Sequence, residues 1–306
     1  MSDPVALSVV IPHYGDAAPT QALVRQLLPQ LQAASAEIVV VDDCSPHPMP
    51  QVDGATVIRR DRNGGFGATV NVGVEQARGG LVAILNSDLV VGPDFLRAFV
   101  EAARPWLPAV VAPRVVTHGH DGATSFRFPN ARTVLAQRIG VLAGRRDRGW
   151  VSDLIGEDKP RGPEDEHVVD WVSGAALLVP TADLRAVGGF DDRFHMYLEE
   201  VDLQRRLRAR GLPSVYIGHV VIEHAGFGSS DPAKRELWQA ESWVAYADKW
   251  GWRRRLWLAM EASAATNLVV DSARRALGRD TTPLADWRQR RALARAAWSG
   301  QARRQS

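Results

Sequence analysis

Short runs of β-branched and other apolar residues alternate with helical patterns through the first hundred residues, and this alternation restricts the possible folds more than any other feature. The predicted strands are residues 8–11, 37–41, 56–58, 81–85 and 109–112. βα units of this kind build a mostly parallel sheet. The run from Leu81 to Leu85 is apolar on both faces, which predicts a central strand. We therefore predict an α/β fold, a mostly parallel twisted sheet flanked by helices.

The pattern changes in the second half of the chain. Residues 118–166 lack periodicity and are rich in Gly, Arg, Asp and Pro, which predicts a functional lid or a mobile segment. Regular patterns return at residues 168–179, 199–210 and 214–217, and the chain is predicted to be helical after residue 232. We expect one domain over residues 1–232, with halves of about 1–115 and 116–232, and a helical extension over residues 233–306.

Composition excludes several classes of protein. With 45% hydrophobic and 24% charged residues in 306, the chain can bury a sizeable core and is not a disordered protein. No apolar run reaches the roughly 18 residues of a membrane-spanning helix. The single cysteine, Cys44, cannot form an intramolecular disulfide, and no charged and apolar leader precedes the first strand. We expect a cytoplasmic protein.

The C-terminal segment differs in charge from the rest of the chain. Residues 249–306 carry 13 Lys and Arg against 4 Asp and Glu, whereas residues 1–248 carry 24 against 31. The segment also holds five of the ten tryptophans. A basic helical region with Trp suits an anionic membrane surface or a nucleic acid. The alternative is a solvated basic face with Trp in a helix–helix core. The segment has no recognition-helix or zinc motif, and the acidic remainder repels phosphate backbones, so we expect no nucleic-acid partner.

Acidic residues follow the predicted strands at the edge where open α/β sheets bind ligands. Asp42 and Asp43 follow the second strand, and a carboxylate there can accept an N–H from a base or a ribose hydroxyl; a turn or a helix cap is the alternative. Asp88 follows the central strand, where it is either a turn residue or a ligand for Mg²⁺ or Mn²⁺ with a diphosphate.

Two further clusters are candidates for catalysis. Glu199, Glu200 and Asp202 open a predicted helix; they either complement the helix dipole or include a general base whose pKa is raised by neighbouring acids. Asp202 and Arg206 are four residues apart, which predicts a structural ion pair. His224 is either a metal ligand or a buried histidine. The glycines at 64–67 lack dinucleotide-binding and Walker spacings, so neither a nicotinamide cofactor nor ATP is expected.

Seven segments over about residues 7–230 resemble, in order, the inverting family-2 glycosyltransferases of GT-A fold, with the nearest likeness to bacterial rhamnosyltransferases that use a dTDP-sugar. These segments are SVVIPHYG, VVVDDCS, NGGFGATVNVG, LNSD, WVSGAALLV, GGFDDRFHMYLEEVDLQRRLRARG and IEHAGFGSS. The resemblance implies a nucleotide-diphospho-sugar transferase fold, with the nucleotide bound by residues 1–115 and the acceptor by residues 116–232.

The resemblance also implies roles for individual residues. The nucleotide-binding set is Pro12, Tyr14, Asp42, Asp43, Asn63, Gly64, Asn86 and Ser87. Asp88 matches the last acid of the family's Asp-x-Asp metal motif, in which Asn86 replaces the first, and His224 completes the coordination of Mg²⁺ or Mn²⁺. Glu200, beside Glu199, matches the general base. The acceptor and donor-sugar side is assigned to Trp171, Gly174 and Asp202.

The function implied is transfer of L-rhamnose from dTDP-rhamnose to a cell-envelope glycan or a polyprenyl-diphosphate-linked acceptor, at the inner face of the cell membrane. A UDP-hexose donor is the first alternative. A sugar-nucleotide nucleotidyltransferase would carry a Gly-rich signature with a basic residue after the first strand, where this chain has Pro-His-Tyr-Gly after Ile11. A non-catalytic glycan-binding relative is the last alternative. The helical extension is expected to bind the membrane surface or to form a homodimer.

Overall fold

The computed structural model describes residues 5–145, 148–160, 162, 164–226 and 232–304. The chain divides into two compact units. The sheet unit comprises Met1–Phe126 and Lys159–Ser229, and the helical unit comprises Arg127–Asp158 and Ser230–Ser306. The predicted boundary follows residue 232. The end of the last resembling segment, residues 227–230, lies outside the described residues.

The strands of the sheet unit are β1 (Leu7–His13), β2 (Ala36–Asp42), β3 (Thr56–Arg59), β4 (Leu81–Leu85), β5 (Leu89–Val90), β6 (Val110–Thr117), β7 (His120–Asp121), β8 (Ser125–Phe126), β9 (Glu166–Val169), β10 (Trp171–Val172), β11 (Ala176–Pro180) and β12 (Ser214–His224). Its helices are α1 (Ala17–Leu27), α2 (Phe66–Gln76), α3 (Phe95–Ala103), α7 (Thr181–Ala186) and α8 (Glu199–Arg208). The helices of the helical unit are α4 (Ala131–Arg138), α5 (Gly140–Ala143), α6 (Gly149–Ile155), α9 (Pro232–Lys249), α10 (Arg253–Ala276) and α11 (Pro283–Arg304).

The main sheet has the strand order β3-β2-β1-β4-β11-β6-β12-β5. Strands β1 to β4 are parallel, β11 runs antiparallel between β4 and β6, and β12 is parallel to β6. The small strands β7 and β9 pair with β6 and β12, while β8 and β10 form a separate ribbon. The predicted mostly parallel sheet and the central position of β4 are confirmed.

Helices cover both faces of this sheet, because alternate strand residues point to opposite sides. Val9 and Ile11 of β1 lie on one face and pack with apolar residues of α1 and α3. Val10 lies on the other face and packs with residues of α2 and α8. The core therefore has two layers, and β4 is apolar on both faces because it contributes to each of them.

The last strand is longer than the sequence pattern predicts. Residues 214–217 and 220–222 read as separate segments, whereas β12 continues from Ser214 to His224 with a register shift against β6 between Ile217 and Val221. A β-bulge of this kind interrupts the alternation of buried and exposed residues without ending the strand. The first strand is also longer, since β1 continues through Pro12 to His13.

Residues 127–158 are grouped with the C-terminal helices, although the sequence-based division places them in the acceptor half of residues 1–232. They include three short helices, α4 to α6, and not an irregular lid. Asn267 of α10 joins α4 to this unit: its amide donates to the carbonyl of Arg138 at 2.7 Å and its oxygen accepts from the N–H of Gly140 at 2.8 Å.

The tryptophans of the helical unit pack against other aromatic rings and arginines. Trp257 and Trp298 meet edge to face with centroids 5.2 Å apart, and the guanidinium of Arg253 lies 5.1 Å from the Trp298 ring. Trp252 contacts Tyr246 in the same way at 6.1 Å. These aromatic side chains therefore contact neighbouring helices of the unit, and neither a membrane surface nor a homodimer is tested by these contacts. None of the helices in the described ranges combines the length and apolar character needed to cross a membrane.

Candidate active site

The carboxyl ends of β1, β2 and β4 lie at one edge of the sheet and carry most of the predicted nucleotide-binding residues. Pro12 is buried within β1, in register with Val41, and Tyr14 follows the strand with 41% of its surface exposed. Asn63 is exposed in the loop before α2. The half-buried Asn86 and Ser87 follow β4, and the N–H of Asn86 donates to the carbonyl of Ala175 at 2.9 Å.

Asp43 holds the glycine-rich loop that begins α2. Its side chain is 4% exposed, and its two oxygens accept from the N–H of Gly64 at 3.0 and 3.2 Å. One of them also accepts from the N–H of Gly65 at 2.8 Å. The guanidinium of Arg60 donates to the same carboxylate. Asp43 and Gly64, predicted separately from the sequence, are therefore brought together, and Arg60 is a partner that the sequence reasoning missed.

Gly65 allows the glycine-rich loop to approach the segment that precedes α8. Its φ of 86° and ψ of 179° lie in a region that is essentially restricted to glycine. A Cβ at this position would lie 1.8 Å from the carbonyl oxygen of His195. The same carbonyl accepts from the N–H of Phe66 at 3.2 Å. This contact links the predicted nucleotide loop to the predicted catalytic helix.

Asp42 supports the loop after β2, and its assignment to the nucleotide stays a prediction. It is 1% exposed and accepts from the N–H groups of Ser45 at 2.8 Å and Met49 at 3.0 Å, as well as from the Arg59 side chain. Burial alone would raise the pKa of Asp42, but hydrogen bonds from Ser45, Met49 and Arg59 outweigh it and lower the pKa below its ordinary value. The carboxylate is thus engaged by protein donors, as the turn alternative predicts.

Asp88 and His224 are neighbours because β5 pairs with the end of β12. His224 is in register with Leu89, and the N–H of Ala225 donates to the carbonyl of Asp88 at 3.0 Å. The imidazole Nε2 lies 3.1 Å from the Asp88 carboxylate. This carboxylate raises the pKa of His224, against the lowering effect of burial.

The donor set at this pair suits a hard divalent cation that also binds phosphate oxygens. Asp88 offers a carboxylate and His224 an imidazole nitrogen, and Mg²⁺ is typically held by one or two protein ligands with substrate phosphates and water. Among the described residues, no cluster of three or more His, Cys, Asp or Glu side chains has a metal-binding arrangement. Asp88 and His224 therefore fit a cation only as part of a diphosphate complex.

Glu199, which is buried, and Glu200, which is half-buried, open α8 as a pair of neighbouring carboxyl groups. Glu199 is 5% exposed, and for each residue Oε2 is buried without a hydrogen-bond partner among the described residues. Burial raises the pKa of Glu199 well above its ordinary value, and the charge of Glu200 raises it further. Burial also raises the pKa of Glu200, although backbone N–H groups of the first turn partly offset it. Only one carboxylate of such a pair ionises readily, which suits a general base.

The start of α8 is fixed by contacts to the neighbouring strands. The Gln204 side chain accepts from the N–H of Val172 and donates to its carbonyl, both at 2.8 Å. Gly174 lies against Glu200, since a Cβ on Gly174 would be 3.3 Å from the Cβ and Cγ of that glutamate. Tyr197 and Leu198, which precede the helix, have φ angles of 72° and 65°. Such left-handed conformations in non-glycine residues are strained and are concentrated at functional sites.

Asp202 is buried in an ion pair with Arg206, and its assignment to the sugar side stays a prediction. Its side chain is 0% exposed and accepts from Arg206 at 2.8 Å. Arg206 also donates to the carbonyls of Val187 and Gly189, both at 2.7 Å. The predicted i,i+4 ion pair is therefore present, and it ties α8 to the turn after α7.

Trp171 lies in the β8–β10 ribbon. Its ring stacks on Phe126, with centroids 4.2 Å apart and an angle of 14° between the planes. The role of Trp171 and Gly174 as an acceptor wall stays a prediction.

Three residues that shape the site were missed by the sequence analysis. Arg60 immediately follows β3, so a basic residue at the end of a strand next to the acidic end of β2 is the signal that points to it. Gln204 is four residues after Glu200, a helical spacing that places both on one side of α8. His195 acts through its backbone carbonyl, for which the sequence carries no signal.

The site and the fold can be compared with known proteins. Residues 8–157 match the model of the family described as Glycosyl transferase family 2. The N-acetylglucosaminyl-diphospho-decaprenol L-rhamnosyltransferase of Mycobacterium tuberculosis is 32% identical over 213 residues, which cover 63% of this chain and 65% of that relative. This chain therefore spans less than two thirds of the length of that relative.

Solved structures share the fold at low identity. GalNAc-T7 with UDP, GalNAc and Mn²⁺ superposes with a TM-score of 0.54 at 14% identity, covering 80% of this chain and 48% of that chain. Residues 1–349 of S. aureus TarS in complex with UDP superpose with a TM-score of 0.52 at 14% identity, covering 96% and 92%. Residues 8–157 are thus similar in sequence to the family 2 glycosyltransferases, and the chain shares the fold of these solved glycosyltransferase structures.

Proposed function

We propose that this protein is an inverting glycosyltransferase that moves L-rhamnose from dTDP-rhamnose to a cell-envelope glycan or a polyprenyl-diphosphate-linked acceptor. The observation that carries the proposal is the glutamate pair at the start of α8, opposite Gly174 and linked through the 195–198 segment to the loop on Asp43. The mycobacterial relative, named for the transfer of L-rhamnose to a decaprenol-linked acceptor, supports the choice of sugar and acceptor.

Glu200 is the residue we assign as general base. Its raised pKa makes its carboxylate a stronger base than an ordinary glutamate, and its Oε2 has no protein donor among the described residues. It removes the proton from the acceptor hydroxyl as that oxygen attacks C1 of the donor sugar. The bond from C1 to the diphosphate oxygen breaks on the opposite face, so the anomeric configuration inverts without a covalent intermediate.

Glu199 has a different role in this scheme. Burial and the charge of Glu200 raise the pKa of Glu199 well above its ordinary value, so we assign Glu199 as the protonated member of the pair. A neutral Glu199 leaves one negative charge on the pair, close to the helix start where the dipole favours it, while the Asp202 carboxylate of the same turn is paired with Arg206.

The nucleotide and the cation are assigned to the carboxyl ends of β2 and β4. We assign Asp43, which holds the loop at Gly64, as the acceptor for the N3–H of thymine or uracil, in place of one of its present protein donors. Asp88 and His224 would hold Mg²⁺ or Mn²⁺, and a bound cation neutralises charge on the departing nucleoside diphosphate. The Mn²⁺ that accompanies UDP in the GalNAc-T7 structure supports a divalent cation in this fold.

A matched pair of substitutions tests the assignment of the base. Glu200→Gln should lower turnover by about 10²–10⁴-fold. Glu199→Gln should stay within severalfold of wild type, because glutamine resembles the protonated acid. Sugar transfer and donor hydrolysis would be measured with circular dichroism as a control for folding. Equal losses in the two variants, or near wild-type turnover in Glu200→Gln, would refute the assignment.

A UDP-hexose is the alternative donor, and the UDP in the TarS complex supports it. Thermal shift and donor hydrolysis with dTDP-rhamnose, UDP-glucose, UDP-galactose and GDP-mannose, each with Mn²⁺, Mg²⁺ or EDTA, distinguish the donors, because a ligand of the native state raises Tm. A metal-dependent response to UDP-glucose alone would replace rhamnose with a hexose.

Access to a lipid-linked acceptor would place the helical unit at the inner membrane surface. In support, Arg253, Arg254, Trp257, Leu258 and Trp298 line an open groove of about 500 Å³, and Leu258 is 66% exposed. Arginines with interfacial aromatic and apolar side chains suit anionic headgroups. Leu258→Gln should reduce sedimentation with anionic vesicles, whereas Val269→Gln, at a residue 69% exposed on the same helix, should not. Equal sedimentation of the wild type and both variants would contradict docking to the membrane. If the wild type is a dimer in solution and Leu258→Gln dissociates it, the groove is instead part of a homodimer interface.

A further inference from the structure

The helical unit contains a second cavity, lined by α4, α10 and α11, that takes no part in the proposed transfer reaction. Its volume is about 220 Å³. Arg138, Arg290 and Arg291 contribute guanidinium groups to its lining, and Glu261 contributes the carboxylate. Pockets for drug-sized molecules measure about 300–1,000 Å³, so this cavity suits a smaller ligand.

The lining carries more positive charge than its own carboxylate neutralises. Glu261 is engaged by Arg291, with Oε2 3.0 Å and Oε1 3.3 Å from its Nε. Arg291 is further fixed by the Trp287 ring, whose centroid lies 4.7 Å from the guanidinium carbon. Neither Arg138 nor Arg290 makes an ion pair with a carboxylate in the described ranges. Two of the three arginines that line the cavity therefore have no acid as an ion-pair partner in the described ranges.

The environment of Arg138 is unfavourable for a charge without an anion. Burial lowers the pKa of Arg138, and the positive charge of Arg290 lowers it further, while Glu236 of α9 offsets part of this effect. Glu236 is exposed and does not line the cavity. Burying an uncompensated charge beside a like charge is costly, and a bound anion relieves both effects.

Arg138 is also held in place independently of any ligand. It is the last residue of α4, and its carbonyl is bonded to the side chain of Asn267, which is 4% exposed. The same side chain accepts from the N–H of Gly140, which fixes the turn between α4 and α5. These bonds fix the backbone from which the Arg138 side chain extends, and a fixed backbone favours a preorganised site.

We propose that this cavity binds a phosphate or diphosphate group, either free in solution or as the headgroup of an anionic lipid. Planar guanidinium groups match the geometry of phosphate oxygens, and several converging arginines are a recurrent arrangement for phosphate recognition. The site is distinct from Asp43 and Asp88, and it does not depend on the proposed glycosyltransferase activity.

The first experiment measures inorganic diphosphate binding to the full chain by calorimetry, in EDTA and at constant ionic strength. We expect saturable binding that weakens by about tenfold or more in Arg138→Gln and in Arg290→Gln, because each removes a charged hydrogen-bond partner. Arg295→Gln removes the same charge from an exposed position of α11 outside the cavity and should bind as wild type does. The ligand-free Tm of Arg138→Gln should not fall, since the substitution removes repulsion from Arg290.

The second experiment separates the two sources of phosphate, using vesicles of phosphatidylcholine with or without phosphatidic acid. Binding of free diphosphate with no preference for phosphatidic acid supports a site for a soluble phosphate. A preference for phosphatidic acid that Arg290→Gln abolishes and Arg295→Gln retains supports a headgroup site. The proposal is overturned if neither diphosphate nor phosphatidic acid binds, or if both ligands still bind to Arg138→Gln and Arg290→Gln as they do to the wild type. It is also overturned if Arg295→Gln weakens binding as much as Arg138→Gln and Arg290→Gln do.

Discussion

The close approach of Gly65 to His195 allows a stability prediction to be worked out from the coordinates. Replacing Gly65 by alanine imposes two separate costs. The backbone at φ 86° and ψ 179° is a glycine-only conformation, which costs an L-residue about 1–3 kcal/mol. The new Cβ would also meet the His195 carbonyl oxygen at 1.8 Å, far inside the 3.0 Å that real Cβ contacts keep.

The second cost follows from the hydrogen bonds that this clash disrupts. The loop has to move away from His195, which breaks the bond from Phe66 and strains the bond from the Gly65 N–H to Asp43. A neutral bond contributes about 0.5–1.5 kcal/mol and one to a charged group about 1.5–3 kcal/mol. We therefore expect Gly65→Ala to lose about 3–7 kcal/mol of unfolding free energy, and Tm to fall by about 5–15 °C.

Two other glycines of the sheet unit serve as matched controls. Gly188 has a φ of 76° but no heavy atom within 4 Å of a built Cβ, so Gly188→Ala reports the backbone cost alone, about 1–2 kcal/mol. Gly80 has neither a positive φ nor a close neighbour, and Gly80→Ala should change stability by about 0.5 kcal/mol or less. Urea unfolding followed by circular dichroism gives all three values. If Gly65→Ala costs no more than Gly188→Ala, the carbonyl of His195 does not confine the loop and the reasoning is refuted.

Three further predictions concern the site. Glu199→Gln should raise Tm at pH 8 but not at pH 4. The pKa of Glu199 is raised in the folded state, so the stability of the wild type falls as the pH rises above 4.5, the ordinary pKa of a glutamate. A change in Tm that is the same at both pH values would contradict this reasoning. Asp202→Asn should lower the free energy of unfolding, measured in urea, by about 3 kcal/mol, because Arg206 is left without its buried carboxylate. A decrease of less than about 0.5 kcal/mol would show that the pair contributes no more than a weak surface ion pair. EDTA should abolish turnover, and added Mn²⁺ or Mg²⁺ should restore it. Asp88→Asn should raise the cation concentration that gives half-maximal turnover. Turnover that EDTA does not change would exclude Asp88 and His224 as cation ligands.

The fold was predictable from the sequence wherever the pattern is local. The run at 81–85 is apolar at every position because it contributes to two core layers, and this is visible without any tertiary information. Residues 127–158 gave no such signal, because α4 to α6 have only one or two turns each and are too short for a helical periodicity to emerge. They belong to the helical unit because α4 packs against α10, which contributes Asn267 and lies more than a hundred residues later in the chain.

The adjacent residues Asp42 and Asp43 mark the limit of prediction within the site. Sequence reasoning gave both the same role, since both follow β2. In the structure Asp42 is the last residue of its strand and is in register with Arg59 of β3, while Asp43 accepts from the glycine-rich loop. Which carboxylate meets which partner depends on strand register and on the approach of distant loops, and neither is encoded in the local sequence.

The pairing of β5 with β12 has a consequence for the biosynthesis of this protein. A nascent chain folds from its N-terminus as it is released, and parallel sheets with long-range pairing form slowly. Until β11 has been synthesised, β4 is an apolar edge strand that can associate with other chains. Until residue 224 has been synthesised, the His224 imidazole is not available to Asp88. Even the segment 8–157, which alone carries the family match, ends before β11, both glutamates and His224. We therefore expect that fragment to aggregate, and that the shortest active fragment extends at least to the end of β12.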